Sequence, residues 1–179
     1  MTRGTSFEVE TDENLQEQRS ARADLYHRYS PAAIRLAFLL TGDRALADDL
    51  VHDAFVRLFG RLLHLRNPDA FEPYLRQTVV NLCRMHFRRK RVERTYLRRE
   101  EQGLPQQAAG PDVDFREDLW QALLRLPERQ RIAIVLRYYE DLSEGEASEV
   151  LRCRPGTYRS LLSRGIAQLR LTLQGDQHA

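Results

Sequence analysis

Twenty-seven of the 28 basic side chains in this 179-residue chain are arginine, Lys90 being the exception. Codon usage in a GC-rich genome explains that bias most simply. Arginine nonetheless supplies forked, stacking-capable donors wherever it meets phosphate or a base edge. Arg84, Arg88, Arg89, Lys90, Arg91, Arg94, Arg98 and Arg99 fall within residues 82–99 against Glu93 alone, a local net charge of +7. On a helix, Arg84, Arg88 and Arg91 would share one side with Phe87 among them, which suits tracking a phosphate backbone while stacking on an exposed base. A solvated basic face is the plain alternative. Such an excess in a chain of net charge +2 favours nucleic acid.

A second pattern lies near the C-terminus. Ser143-Glu144-Gly145-Glu146 fits a capping box, and a short apolar-periodic segment with Ala147 follows it. Arg152-Cys153-Arg154 then turns the chain, and Pro155 opens another helix. Two short helices, a three-residue turn and a small residue inside the first form the pattern of a helix-turn-helix, whose second helix enters a major groove. Arg154, Thr157, Arg159, Ser160, Ser163 and Arg164 would then face outward, all able to bond phosphates or base edges. An ordinary helical hairpin with a polar face explains the same spacing.

Other chemistries find little support. The sequence contains no Gly-rich phosphate loop, no H-E-x-x-H and no G-x-S-x-G, and its five histidines (27, 52, 64, 86 and 178) form no ligand grouping. Cys83 and Cys153 lie far apart without CxxC spacing and read as small core residues. We therefore expect no catalytic residue, metal or cofactor. No stretch approaches eighteen apolar residues, and the first residues lack the apolar core of a signal peptide, so a cytoplasmic protein without membrane insertion is expected.

The elements that position these groups read as helices throughout, and no segment sustains the alternation of a strand. The spacing predicts a helix over 24–40, broken or kinked at Pro31. Thr41-Gly42-Asp43 is a stop and a new cap. Beyond it Ala47, Leu50, Val51, Ala54, Phe55, Leu58 and Leu62 form an amphipathic stripe. Asn67-Pro68 caps a further helix, which runs from Phe71 into the arginine block. Residues 100–115 have linker composition, with two Gly and two Pro. The expected fold is all-α: an acidic, disordered tail (1–21), a helical domain (22–99), a flexible linker (100–115), a second helical domain (116–173) and a short tail (174–179).

Three stretches carry a family resemblance. LADDLVHDAFVRLF is similar to the polymerase-binding helix of the sigma-70 family of bacterial transcription initiation factors. FEPYLRQTVVNLCRMHFRRKR is similar to that family's promoter-melting, −10-reading helix, and LWQALLRLPERQR through PGTYRSLLSRGIAQLR to its −35-reading domain. Their order, with no middle domain, resembles the extracytoplasmic-function (ECF) subgroup. The resemblance implies a non-catalytic specificity subunit that binds core RNA polymerase through the beta-prime clamp and the beta flap. It would recognise both promoter elements and open the DNA, including capture of the single-stranded non-template −10 strand. It implies an anti-sigma factor as regulator, and nucleoid association once in holoenzyme.

Residue by residue, the resemblance assigns Asp48, Asp49, Leu50, Val51, Asp53 and Phe55 to core polymerase, the acids meeting basic partners and the apolar groups anchoring. It assigns Asn67, Phe71, Tyr74, Asn81, Arg84 and Arg88 to −10 DNA, with residues 64–71 as the loop that captures a flipped base. To −35 DNA it assigns Arg154, Thr157, Tyr158, Arg159, Ser160, Ser163 and Arg164. Tyr74 stands where the family often has Trp, Met85 where many members carry Asp, and Leu161 in place of a frequent Arg. A stand-alone helix-turn-helix regulator remains a rival, but it leaves the acidic helix and the −10-like helix without use.

Overall fold

The computed structural model describes residues 5–61, 70–96 and 117–175, with side chains over 16–60, 70–93 and 118–174. All secondary structure among the described residues is helical: α1 (Thr5–Thr41), α2 (Arg44–Arg61), α3 (Phe71–Tyr96), α4 (Glu117–Arg125), α5 (Glu128–Tyr138), α6 (Glu144–Val150) and α7 (Pro155–Gly175). The first three pack on one another as an N-terminal unit, and the last four form a C-terminal unit in which α5 lies against α7. Asn67, the Asn67-Pro68 cap, most of the expected base-capture loop and the expected linker all lie outside the described residues.

The expected stop at residues 41–43 is present, and its chemistry is visible. Gly42 takes φ 73°, and its N–H donates to the Phe38 carbonyl at 2.8 Å. That is a left-handed helix end, available cheaply only to glycine. Asp43 then accepts from the Leu46 N–H at 3.0 Å, which caps α2.

Two expectations about α1 are corrected. From Thr5 onward the acidic N-terminal segment is part of helix α1 and not a disordered tail. From Thr5 to Thr41 the sequence holds no glycine, the residue that most weakens a helix interior. Pro31 does not split the helix either. Both Pro31 and His27 are exposed, so the carbonyl that loses its partner faces water.

The core is continuous across both units. In the N-terminal unit Phe55, Phe59 and Phe71 cluster with centroids 5.5–6.3 Å apart, and Tyr29 leans on Phe71 at 5.3 Å. In the C-terminal unit Ile132, Leu136, Leu151 and Tyr158 are fully buried. Each such side chain contributes about 1.5–3 kcal/mol. Between the units, Phe38 stacks on Trp120 at 5.1 Å, and the Leu124 side chain sits against Gly42.

Five successive residues of α1, Leu36 to Leu40, are buried, as are six successive residues of α5, Arg131 to Leu136. A helix packed on one face leaves part of every turn wet; these segments are covered on both sides. Each unit completes the other's burial at this seam.

Candidate nucleic-acid interface

Helix α3 presents one open line to solvent. Tyr74 (51% exposed), Thr78, Asn81, Met85 (43%), Arg88 and Val92 recur at three-to-four spacing, so they lie along a single side. Tyr74 and Arg88 are exposed and Asn81 is half-buried. An aromatic ring, a thioether, an amide with both donor and acceptor, and a guanidinium along one line can stack on and bond an unpaired base. Sequence reasoning treated Met85 only as a departure and gave Val92 no role. Their exposure adds both to the surface. Burial and the Lys90 charge hold the His86 pKa below the usual histidine range, which disfavours a cationic ring.

Two residues expected at −10 DNA lie elsewhere. Phe71 is 1% exposed at the centre of the aromatic cluster, so it shapes the base of α3 and touches no solvent-side ligand. Arg84 sits a quarter turn from the open line, and its Nη1 donates to the Leu151 carbonyl of the C-terminal unit at 3.1 Å. Burial first, then the nearby Arg129 and Arg152 charges, lowers its pKa.

The helix-turn-helix forms as the spacing predicts. Ser143 accepts from the Glu146 N–H while the Glu146 carboxylate accepts from the Ser143 N–H at 2.8 Å, a complete capping box. Donation to this carboxylate by the Ser143 hydroxyl, and after it by the Ser143 N–H, holds the Glu146 pKa below the usual carboxylate range. Arg152 takes φ 50° in the turn, and the Cys153 N–H donates to the Ser148 carbonyl at 3.0 Å. Gly165 lets α5 and α7 approach closely, since a Cβ there would stand 3.0 Å from Ile134.

Arg154, Thr157, Arg159, Ser160, Ser163 and Arg164 are all exposed around the start of α7. Arg159 is bidentate to Glu144, at 3.2 and 2.8 Å, so a DNA contact must exchange that carboxylate for a phosphate or base edge. Ser160 donates to the Gly156 carbonyl at 3.0 Å, and Arg164 Nε to the Ser160 carbonyl at 3.2 Å. Tyr158 departs from expectation. It is 1% exposed, its hydroxyl donates to the Ala133 carbonyl at 2.9 Å, and burial pushes its pKa up to about 12. It anchors α7 to α5 and does not face DNA.

On α2 the expected polymerase set divides by helical period. Leu50, Val51 and Phe55 are buried in the core and cannot anchor a partner. Asp49, His52 and Asp53 are exposed on the opposite side, joined by Val56 at 56% exposure. Val56 is the apolar group that sequence reasoning missed; its place one turn beyond His52 and Asp53 was the available signal. Asp48 is half-buried and paired with Arg44 at 3.1 Å. Among the described residues no group of His, Cys, Asp and Glu could hold a metal ion, and no helix is long and apolar enough to cross a membrane.

The sigma-70 region 2 family matches residues 25–93, and the sigma-70 region 4 family residues 116–169. The chain is 33% identical over 153 residues to ECF RNA polymerase sigma factor SigE of Mycolicibacterium smegmatis, covering 82% of this chain and 59% of that protein. It is 30% identical over 146 residues to RNA polymerase sigma-E factor of Streptomyces avermitilis, covering 80% and 79%. Two solved structures share the fold. Sigma factor RpoE of Bartonella quintana, solved with the anti-sigma factor NepR, gives a TM-score of 0.65 at 23% identity over 84% of this chain and 97% of that one. CnrH, solved with the cytosolic domain of CnrY, gives 0.61 at 24% identity over 88% and 90%. Region 2 therefore comprises the C-terminal part of α1 together with α2 and most of α3, region 4 comprises α4 to α6 and most of α7, and the chain belongs to the sigma-70 family as an ECF RNA polymerase sigma factor.

Proposed function

We propose that this chain is the non-catalytic specificity subunit of a bacterial RNA polymerase. Asp49, Asp53 and Val56 on α2 dock on the beta-prime clamp, and the C-terminal unit docks on the beta flap. Arg154, Thr157, Arg159, Ser160, Ser163 and Arg164 read the −35 duplex. Tyr74, Asn81, Met85 and Arg88, with the loop at 64–71, hold the non-template −10 strand after it opens. Extruding a base costs a few kcal/mol, which contacts to the flipped base repay, so binding alone can drive strand opening.

The observation that carries this reading is the pair of unlike surfaces in one chain. The open line of α3 mixes apolar and polar groups suited to unstacked bases, and the start of α7 exposes mainly polar side chains suited to a groove. An acidic helix face that neither DNA surface uses accompanies them. An anti-sigma factor is the proposed regulator, in keeping with the partners named for the two structural relatives, and the cytoplasm is the proposed compartment.

Run-off transcription over a genomic promoter library tests the proposal. Sequence-directed starts are expected only when the chain and core polymerase are both present. Tight duplex binding by the chain alone, without polymerase-dependent starts, would replace it with the helix-turn-helix regulator.

A further inference from the structure

Of the arginines Arg154, Arg159 and Arg164 exposed around the start of α7, only Arg159 carries an acid among the described residues. Its Nε and Nη2 donate to the two Glu144 carboxylate oxygens at 3.2 and 2.8 Å. Arg164 only turns its Nε back onto the Ser160 carbonyl. Glu144 is the first residue of α6, and the Ser143–Glu146 capping box that spans it fixes where its backbone sits. Its carboxylate therefore reaches from one helix of the helix-turn-helix to a readout side chain of the other, 15 residues away in sequence.

The pair is wet and opens readily, since the Arg159 and Glu144 side chains are 73% and 38% exposed. Either a phosphate or a base edge can then take the guanidinium, and the two differ in charge. Guanine offers O6 and N7 as two neutral acceptors, whereas a phosphate brings a second anion beside the released carboxylate. At about 4 Å and the dielectric of bulk water, that repulsion alone disfavours the phosphate about fivefold, and salt screens little over so short a distance.

The position of Glu144 makes this repulsion count. In a helix-turn-helix the first helix crosses the DNA backbone while the start of the second meets base edges. A carboxylate on the first residue of α6 thus stands at the backbone, with Arg159 as its only ion-pair partner among the described residues. Arg154 and Arg164 have no such neighbour and suit phosphates.

We propose that Glu144 is a positioning residue that sets −35 specificity: it bars Arg159 from phosphate and reserves it for a neutral base edge with two acceptors, a guanine in the groove. Glu144 acts through Arg159 and makes no base contact of its own. The proposal rests on the −35 reading of α7 above, and its test separates the two. Holoenzymes carrying wild type, Glu144→Gln, Arg159→Ala or both substitutions compete for promoters mutated at each −35 position, over a series of salt concentrations. Glu144→Gln keeps the side-chain length and the capping box and removes only the charge.

The position where Arg159→Ala loses discrimination is the one Arg159 reads, and guanine is expected there; any other preferred base overturns the proposal. On promoters lacking that guanine, Glu144→Gln is expected to bind about fivefold tighter than wild type. The slope of log affinity against log salt on those promoters should steepen by about 0.9, the mark of one added phosphate contact. Both changes should vanish when Arg159→Ala is the background. An equal gain with and without Arg159 makes Glu144 a bare charge near DNA and overturns the proposal, as do unchanged discrimination and slope in Glu144→Gln. If Arg159→Ala itself loses discrimination at no position, or affinity evenly at all of them, the −35 reading of Arg159 falls and the proposal falls with it.

Discussion

Tyr74 and Tyr158 are the same residue type near the starts of α3 and α7, one in each region proposed to meet DNA, and their environments are opposite. Tyr74 holds its ring in solvent, whereas Tyr158 is sealed against α5 with its hydroxyl on the Ala133 carbonyl. The contrast extends to the surroundings. Around Tyr74 the open line of α3 keeps Met85 and Val92 in water. Around Tyr158 the exposed positions are polar or small, namely Arg154, Gly156, Thr157, Arg159 and Ser160, except for the Pro155 ring. A surface that stacks on single bases must leave apolar rings and sulfur exposed, while a surface that enters a groove keeps its apolar groups inside and offers donors.

Substitutions can break this comparison, and the largest effect belongs to Tyr158. Tyr158→Ala is expected to cost about 3–5 kcal/mol of stability, since a filled core position empties. Urea unfolding measures it, and a loss below about 1 kcal/mol would mean that the ring is not structural.

Tyr74→Ala should do the reverse. Stability stays within about 0.5 kcal/mol, while affinity of the holoenzyme for a single-stranded −10 oligonucleotide falls by about 1–3 kcal/mol. An unaltered oligonucleotide affinity would remove Tyr74 from the stacking line.

Arg159→Ala sharpens the groove side. About 1–3 kcal/mol of discrimination should vanish at one or two −35 positions and nowhere else, as read by competition among mutated promoters. A uniform loss at every position would make Arg159 a phosphate contact instead.

Arg88→Ala is the smallest change. It should weaken −10 strand binding evenly across sequences and lower the slope of log affinity against log salt by about 0.7. A slope that does not move would place Arg88 outside the phosphate track.

Local chemistry was readable wherever one residue type had one plausible use. Gly42 and Asp43 marked a helix end and a cap, Ser143 and Glu146 marked a capping box, and all were found in place. The six outward residues of the helix-turn-helix were also identified correctly as exposed. Legibility failed where one helix carries two duties. On α2 the apolar stripe placed Leu50, Val51 and Phe55 toward a core while the family resemblance assigned the same three to the partner; they are buried, and the helical period turns Val56 out. Tyr158 was misplaced for the same reason, because the family resemblance was carried over the whole string PGTYRS without regard to the helical face.

The seam was legible in principle. Leu36 to Leu40 is an unbroken apolar run of five, and Ile132 to Leu136 another. A single packed face does not require such runs, so each signals a second neighbour. What the letters could not state is that each run would be the other's neighbour, because contacts so distant in sequence leave no local trace. The arginine at 131, nearly buried beside its run, gave no warning at all. Burial draws its pKa down to about 10, yet it keeps its proton at neutral pH and spends it on the Leu40 carbonyl.

Gly42 finally constrains how this chain can diversify. Its φ is left-handed, and a methyl group added there would meet the Leu124 Cδ1 at 2.9 Å. Alanine at 42 thus carries a backbone penalty of about 1–2 kcal/mol and a collision with a residue more than eighty positions away. Leu124 must turn its side chain aside or give way to a smaller one to relieve the second of these. Among descendants that retain this seam, a bulkier residue at 42 should therefore arrive with an altered side chain at 124, so the two positions drift as a pair.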